Sequence, residues 1–178
     1  GPDSLITQTF PKDGEYVLRI TDHLSRGSPL HAYRIETQKI GPEISASIPM
    51  FSNRDSQSRQ MIPVPRGNRA ATSFTLSRKN FTGDLDLLGK NLPKGVKISV
   101  PKAPSSFNSI PVLFSAEANA PLEKSLAEFE IIHFDKDKNT SVSGKYKHRV
   151  DLVYGPPNNR TYYEATYPFL PVAVVEPV

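Results

Sequence analysis

The sequence contains neither cysteine nor tryptophan in its 178 residues. Without cysteine there is no disulfide, no thiol nucleophile and no Cys-ligated zinc. No stretch approaches the roughly 20 apolar residues of a membrane-spanning helix. The longest apolar run, Phe169 to Val175, is interrupted by Pro171. Basic residues never gather into a block. The 22 Lys and Arg against 18 Asp and Glu leave a scattered excess of +4, so nucleic acid is not an expected partner. Glycine is scarce beside proline, 10 against 17. Proline resists helix and punctuates loops and strand edges, which favours many short strands. No charged and apolar leader opens the chain. Gly1-Pro2 has the form of a protease scar, so that lack bears nothing on export.

The motifs of catalysis are also missing. There is no G-x-S-x-G turn around a serine, and Ser25, Ser28 and Ser105 have no assignable base. No glycine-rich phosphate loop is present. His23, His31, His133 and His148 show no metal spacing. Glu128 and Glu130 are two apart beside apolar residues, the pattern of one solvent-facing strand face rather than of carboxylates flanking a substrate. The expectation is a chain that is not an enzyme.

What remains is period-two alternation. Tyr16, Leu18 and Ile20 alternate with Val17, Arg19 and Thr21 after the turn Asp13-Gly14, and Tyr33, Ile35 and Thr37 alternate with Arg34 and Glu36. Further strands are expected around Ile44 and Ala46, Phe74 and Leu76, Val96 to Val100, Ile110 to Ala116, Glu128 to His133, Tyr146 to Leu152, Tyr162 to Tyr167 and Ala173 to Val175. Turn clusters such as Thr82-Gly83-Asp84, Pro93-Lys94-Gly95 and Asp135-Lys136-Asp137 separate them. Residues 52–60 read as a polar loop or linker. Residues 117–128 are the one stretch with helical composition, limited by Pro121 and poor apolar spacing. The fold class is all-β, an antiparallel sandwich.

Asp13-Gly14-Glu15-Tyr16-Val17-Leu18-Arg19-Ile20-Thr21-Asp22, with Tyr33-Arg34-Ile35-Glu36 after it, resembles the last strands of a bacterial pre-peptidase C-terminal (PPC) domain. The resemblance covers about a quarter of the chain, and most of the first half of such a module would precede residue 1. It implies a small β-sandwich appended to secreted bacterial proteins, some of which bind calcium. Residues 43–178 resemble bacterial immunoglobulin-like domains through Asn91-Leu92-Pro93-Lys94-Gly95-Val96, Ile110-Pro111-Val112-Leu113-Phe114 and Asn119-Ala120-Pro121-Leu122. The expected organisation is therefore a PPC-like part over 1–42 and an immunoglobulin-like sandwich over 43–178. The resemblances imply a secreted or cell-surface interaction or spacer domain within a larger bacterial protein. Its expected partners are that protein's other domains and, in an alternative reading, polysaccharide or cell-surface glycan.

Three patches are candidate sites. Tyr154, Asn158, Asn159, Arg160, Tyr162, Tyr163 and Tyr167 combine ring faces that stack on sugars with directional hydrogen-bonding groups, a pattern suited to a carbohydrate platform. Asp135, Asp137 and Asn139 have the D-x-D-x-N start of a calcium loop, which underlies a third reading as a calcium-stabilised domain of a secreted hydrolase. Thr140 stands where such a loop needs glycine, Tyr146 where it needs glutamate, and Lys136 and Lys138 repel a cation, so a solvated hairpin tip is the simpler reading. Arg54, Arg59, Arg66 and Arg69, with Arg78 and Lys79, form the best electrostatic patch for an acidic polymer.

Overall fold

A computed structural model describes residues 5–24, 26–48, 61–137, 139–157 and 160–177, with the side chain of Tyr154 left out. The chain divides into two compact units, Gly1–Lys39 and Ile40–Val178. Among the described residues of the first unit there are turns and bends but no strand. The strands expected at 16–21 and 33–37 do not form a ladder. Alternation makes a strand only when a neighbour supplies hydrogen bonds and a face to cover, and two short strands alone are marginal in water. Local contacts remain. Phe10 and Tyr16 pack with ring centroids 4.2 Å apart, and the Asp22 carboxylate accepts from the Leu24 and Arg26 amides.

The second unit is all-β. Its strands are β1 (Glu43–Ser47), β2 (Ile62–Pro65), β3 (Arg69–Lys79), β4 (Asp86–Lys90), β5 (Val96–Ser99), β6 (Ser109–Ala116), β7 (Lys124–Asp135), β8 (Thr140–Tyr146), β9 (His148–Gly155), β10 (Arg160–Tyr167) and β11 (Phe169–Val175). The helical composition of 117–128 is overridden. Strand β7 starts at Lys124, and its alternate residues Ala127, Phe129 and Ile131 are buried. The single strand expected from Tyr146 to Leu152 is two strands, separated at Lys147, whose amide donates to the Ala46 carbonyl.

Pairing defines two layers. One runs β1-β3-β6-β5, the other β2-β11-β7-β4. Strand β8 joins them by pairing antiparallel with β7 and parallel with β1. The layers face each other across one core. Phe74 of β3 meets Phe129 of β7 edge-on at 5.0 Å, Phe114 of β6 meets it at 6.2 Å, and Tyr146 of β8 lies 5.5 Å away. These four side chains are essentially inaccessible to water. Aromatic groups bury large areas and gain further from edge-to-face geometry.

The register of β7 is unusual. Glu128 pairs with Lys90 of β4 and with Phe169 of β11, so these partners lie on opposite edges. Glu130 to Ile132 pair with both β4 and β8, again one on each edge. Strands β8 and β11 therefore share a single edge of β7, end to end, and meet opposite Phe129. Residues 147–168, which hold β9 and β10, leave the sandwich at that junction as a separate two-stranded ribbon.

Close approach of β8 to β1 requires a glycine. A Cβ at Gly144 would lie 2.0 Å from the Ile44 carbonyl oxygen, a backbone atom with no freedom to retreat. At Gly89 the nearest atom is the Ile98 Cδ1 at 2.7 Å, the far end of a flexible side chain. Gly144→Ala is expected to destabilise the sandwich by about 1–3 kcal/mol in urea unfolding, and Gly89→Ala by clearly less. Equal effects would contradict the backbone clash.

Candidate functional site

The ribbon carries the aromatic patch singled out from sequence. Its ladder is irregular. Thr161 pairs with Tyr154 and Tyr163 with Val153, so Tyr162 is an extra residue on β10. Glu164 then pairs with Asp151, so Leu152 is an extra residue on β9. Each bulge turns neighbouring side chains toward one side of the ladder. The register from His148–Tyr167 upward places Val150 and Ala165 on that side, followed by Leu152, Val153 and Tyr163. Leu152 is 50% exposed, Val153 51% and Tyr163 62%. The opposite side is charged, with Arg149 forming an ion pair to Glu164 and lying 3.8 Å from the buried Asp151.

The tyrosines have different surroundings. Tyr162 is exposed, and its hydroxyl donates to the Pro156 carbonyl at 2.7 Å, which ties the ring to the hairpin tip. Tyr167 stacks on Phe169 at 5.3 Å. Arg160 is exposed and pairs with Gly155. Tyr154 belongs to β9 opposite Thr161, and Asn158 and Asn159 lie outside the described residues. Leu152 and Val153 were absent from the sequence-based candidates. Two adjacent apolar residues inside an otherwise alternating strand were the available signal, since they mark a bulge.

The ribbon is anchored at its base by Tyr146 and His148. The Tyr146 hydroxyl lies 3.0 Å from His148 Nδ1, and the two rings stack. Burial pushes the Tyr146 phenol well above its ordinary pKa, and hydrogen bonding from the Ile48 backbone only partly opposes this. His133 and His148 do not face each other across a hairpin. The residue opposite His133 is Val142, and the His133 Nδ1–H donates to the Asp84 carbonyl at 2.8 Å.

The calcium-like loop is the β7–β8 hairpin tip. The Asp135 carboxylate accepts from the Asp137 amide at 3.1 Å, and Asn139 takes a positive φ of 48°. Among the described residues no group of three or more acidic, histidine or cysteine side chains converges on a metal position. Glu128 is exposed, and Glu130 forms an ion pair with Lys90 at 2.6 Å.

The described part of the basic patch does not act as one surface. The Arg66 guanidinium binds both Glu176 carboxylate oxygens at 2.6 Å, and Lys79 pairs with Glu43. Arg78 donates to the carbonyls of Gly83, Phe107 and Pro104 at 3.0, 2.8 and 3.1 Å, so it fastens two loops together. Arg69 is exposed at the start of β3, and Arg54 and Arg59 lie outside the described residues. Sequence spacing put these cations together without showing that carbonyls and carboxylates already occupy three of them.

No family model matches the chain, and no curated protein does. Among solved structures it is similar to domains 4 and 5 of the S-layer protein SbsC, with 16% identity and a TM-score of 0.37. That alignment covers 77% of this chain and 55% of the other. It is also similar to a family 123 glycoside hydrolase from Clostridium perfringens, with 12% identity and a TM-score of 0.35, over 66% of this chain and 29% of the enzyme. The chain spans little more than half of the first and under a third of the second. Neither likeness carries an argument about the site.

The Tyr146 environment has a consequence at alkaline pH. Its phenol titrates near pH 10 when unfolded and higher when folded, so the folded state holds the proton longer. The stability this provides is complete below pH 10 and is lost as pH rises beyond it. Tyr146→Phe should flatten the fall in unfolding free energy above pH 10. Absorbance titration should find one of the seven tyrosines resisting ionisation in the parent protein. An unchanged alkaline slope in the variant would assign it to other groups.

Proposed function

We propose that this chain is a non-catalytic interaction or spacer domain of a larger extracellular bacterial protein, and that the β9–β10 ribbon is its contact surface. The observation that carries this reading is the split edge of β7. The sandwich closes its core with β8 and β11 end to end, while the ribbon between them exposes Leu152, Val153 and Tyr163. An apolar face held out from a closed core suits a partner better than it suits solvent. The strand orders β1-β3-β6-β5 and β4-β7-β11 support an immunoglobulin-like connectivity, which commonly serves as a scaffold. The resemblance of residues 13–36 to the PPC family supports the secreted, bacterial part of the reading. The test is fractionation of a bacterium producing the parent protein, with protease applied to intact cells. Detection at the surface or in the medium is expected, and recovery only from the protected cytosolic fraction would overturn the extracellular reading.

A second reading is carbohydrate binding at the same ribbon, favoured by the exposed rings of Tyr162 and Tyr163 next to Arg160. On a glycan array, binding by the parent chain that drops at least tenfold in Tyr162→Ala and Tyr163→Ala would support it. An array blank for the parent would remove it.

A further inference from the structure

The edges of the sheets are protected to different degrees. An unpaired edge offers a row of amide and carbonyl groups to any strand that approaches, and proteins blunt such edges with proline, lysine, short length or inward-pointing charge. Edge strand β2 is four residues long and contains Pro63 and Pro65. Edge strand β5 is also four residues long and carries Lys97, which is held by Glu117. Strand β4 has five residues, with Gly89 next to its end and Lys90 ion-paired at its end. Strand β9 contains the buried charge of Asp151.

Strand β10 is blunted less, by the bulge at Tyr162 near its start and by the ion-paired Glu164. It is eight residues long, Arg-Thr-Tyr-Tyr-Glu-Ala-Thr-Tyr, without proline, lysine or glycine. Among the described residues it pairs only with β9. Threonine and tyrosine are strong strand formers. Past the Tyr162 bulge, its residues Tyr163 to Tyr167 run in regular register.

We infer that β10 pairs with β10 of a second copy of this chain, antiparallel about a twofold axis at Ala165, to give a four-stranded β9-β10-β10-β9 sheet between the two molecules. This rests on the ribbon being the contact surface, and it names the partner. The register follows from side-chain direction. In an antiparallel pair, opposed residues share a face. In the regular half of β10 that condition is met when Ala165 faces Ala165, Tyr163 faces the partner copy's Tyr167, and Glu164 faces Thr166. No like charges then oppose one another, and a small residue sits on the axis. Both tyrosine pairs fall on the apolar side beside Leu152 and Val153, where aromatic cross-strand pairs are favourable. Centring on Glu164 instead would set two carboxylates against each other. A closed twofold contact also stops at two copies.

The size of the contact sets its strength. The whole ribbon is 16 residues, eight in each strand, whereas stable interfaces take about 20–30 residues from each partner. A weak dimer is expected, half-formed in the range of roughly tens to hundreds of micromolar.

Sedimentation velocity of the full chain from about 5 µM to 1 mM tests this, and the expected result is a monomer that converts to dimer across that range. Ala165→Lys sets two ammonium groups on the axis and should leave a monomer throughout, with a melting curve like the parent's. Should that variant fold poorly, Tyr163→Ser with Tyr167→Ser serves the same purpose and should weaken dimerisation at least tenfold. Amide exchange in the parent should slow at Tyr163 to Tyr167 as concentration rises. A parent that stays monomeric at 1 mM, or a dimer that folded variants leave unchanged, would overturn the inference. Loss of the dimer would leave the surface-fractionation result standing, so the two readings fail separately.

Discussion

The packing around Phe129 is the constraint on which the rest of the structure depends. Its ring contacts Phe74 and Phe114 from the opposite layer and Tyr146 from β8. Every layer of the sandwich therefore contributes a ring to one cluster. On the backbone, the same residue pairs with Gly89 of β4 on one edge and stands at the junction of β8 and β11 on the other. Cores packed to crystal-like density tolerate little change at such a point. The break between the two half-strands falls beside a residue enclosed by three other rings, so the edge is interrupted without opening the core.

This arrangement separates two tasks. Buried residues recur at every second position in strands such as β6, where Ile110, Val112, Phe114 and Ala116 are inside. The ribbon breaks alternation twice and leaves apolar side chains outside. Tyr146 and His148 mark the boundary, since both are buried and hydrogen-bonded to each other within two residues of where the chain leaves the core. The buried Tyr146–His148 contact fixes the base of the ribbon to the core.

Much of the fold was legible in the sequence. Strands with clean alternation, such as those containing Ile110 to Ala116 and Glu128 to His133, fall within β6 and β7. Strands without it were missed. β8 reads Thr-Ser-Val-Ser-Gly-Lys-Tyr and is polar because it bridges two layers at their margin. β4 and β2 are short and owe their place to β7 and β11. The strands expected at 16–21 and 33–37 show the converse, because local pattern is not sufficient where no sheet supplies a partner. The aromatic patch was found from composition, but its apolar side was not. That side depends on two bulges, and a bulge is a property of paired strands rather than of either sequence alone. Arg78 was misread for a similar reason, since the carbonyls it binds come from residues up to 29 positions away.

Strand β2 runs parallel to β11, pairing Ile62 with Val172 through Pro65 with Val175. Tension drawn between the start of β2 and the end of β11 would pull these strands past each other along their length. All of their pairs would carry load together instead of opening one at a time like a zipper. The same alignment holds where β1 runs parallel to β8. Two strands joined in this way resist being drawn apart along their length more strongly than they resist being peeled.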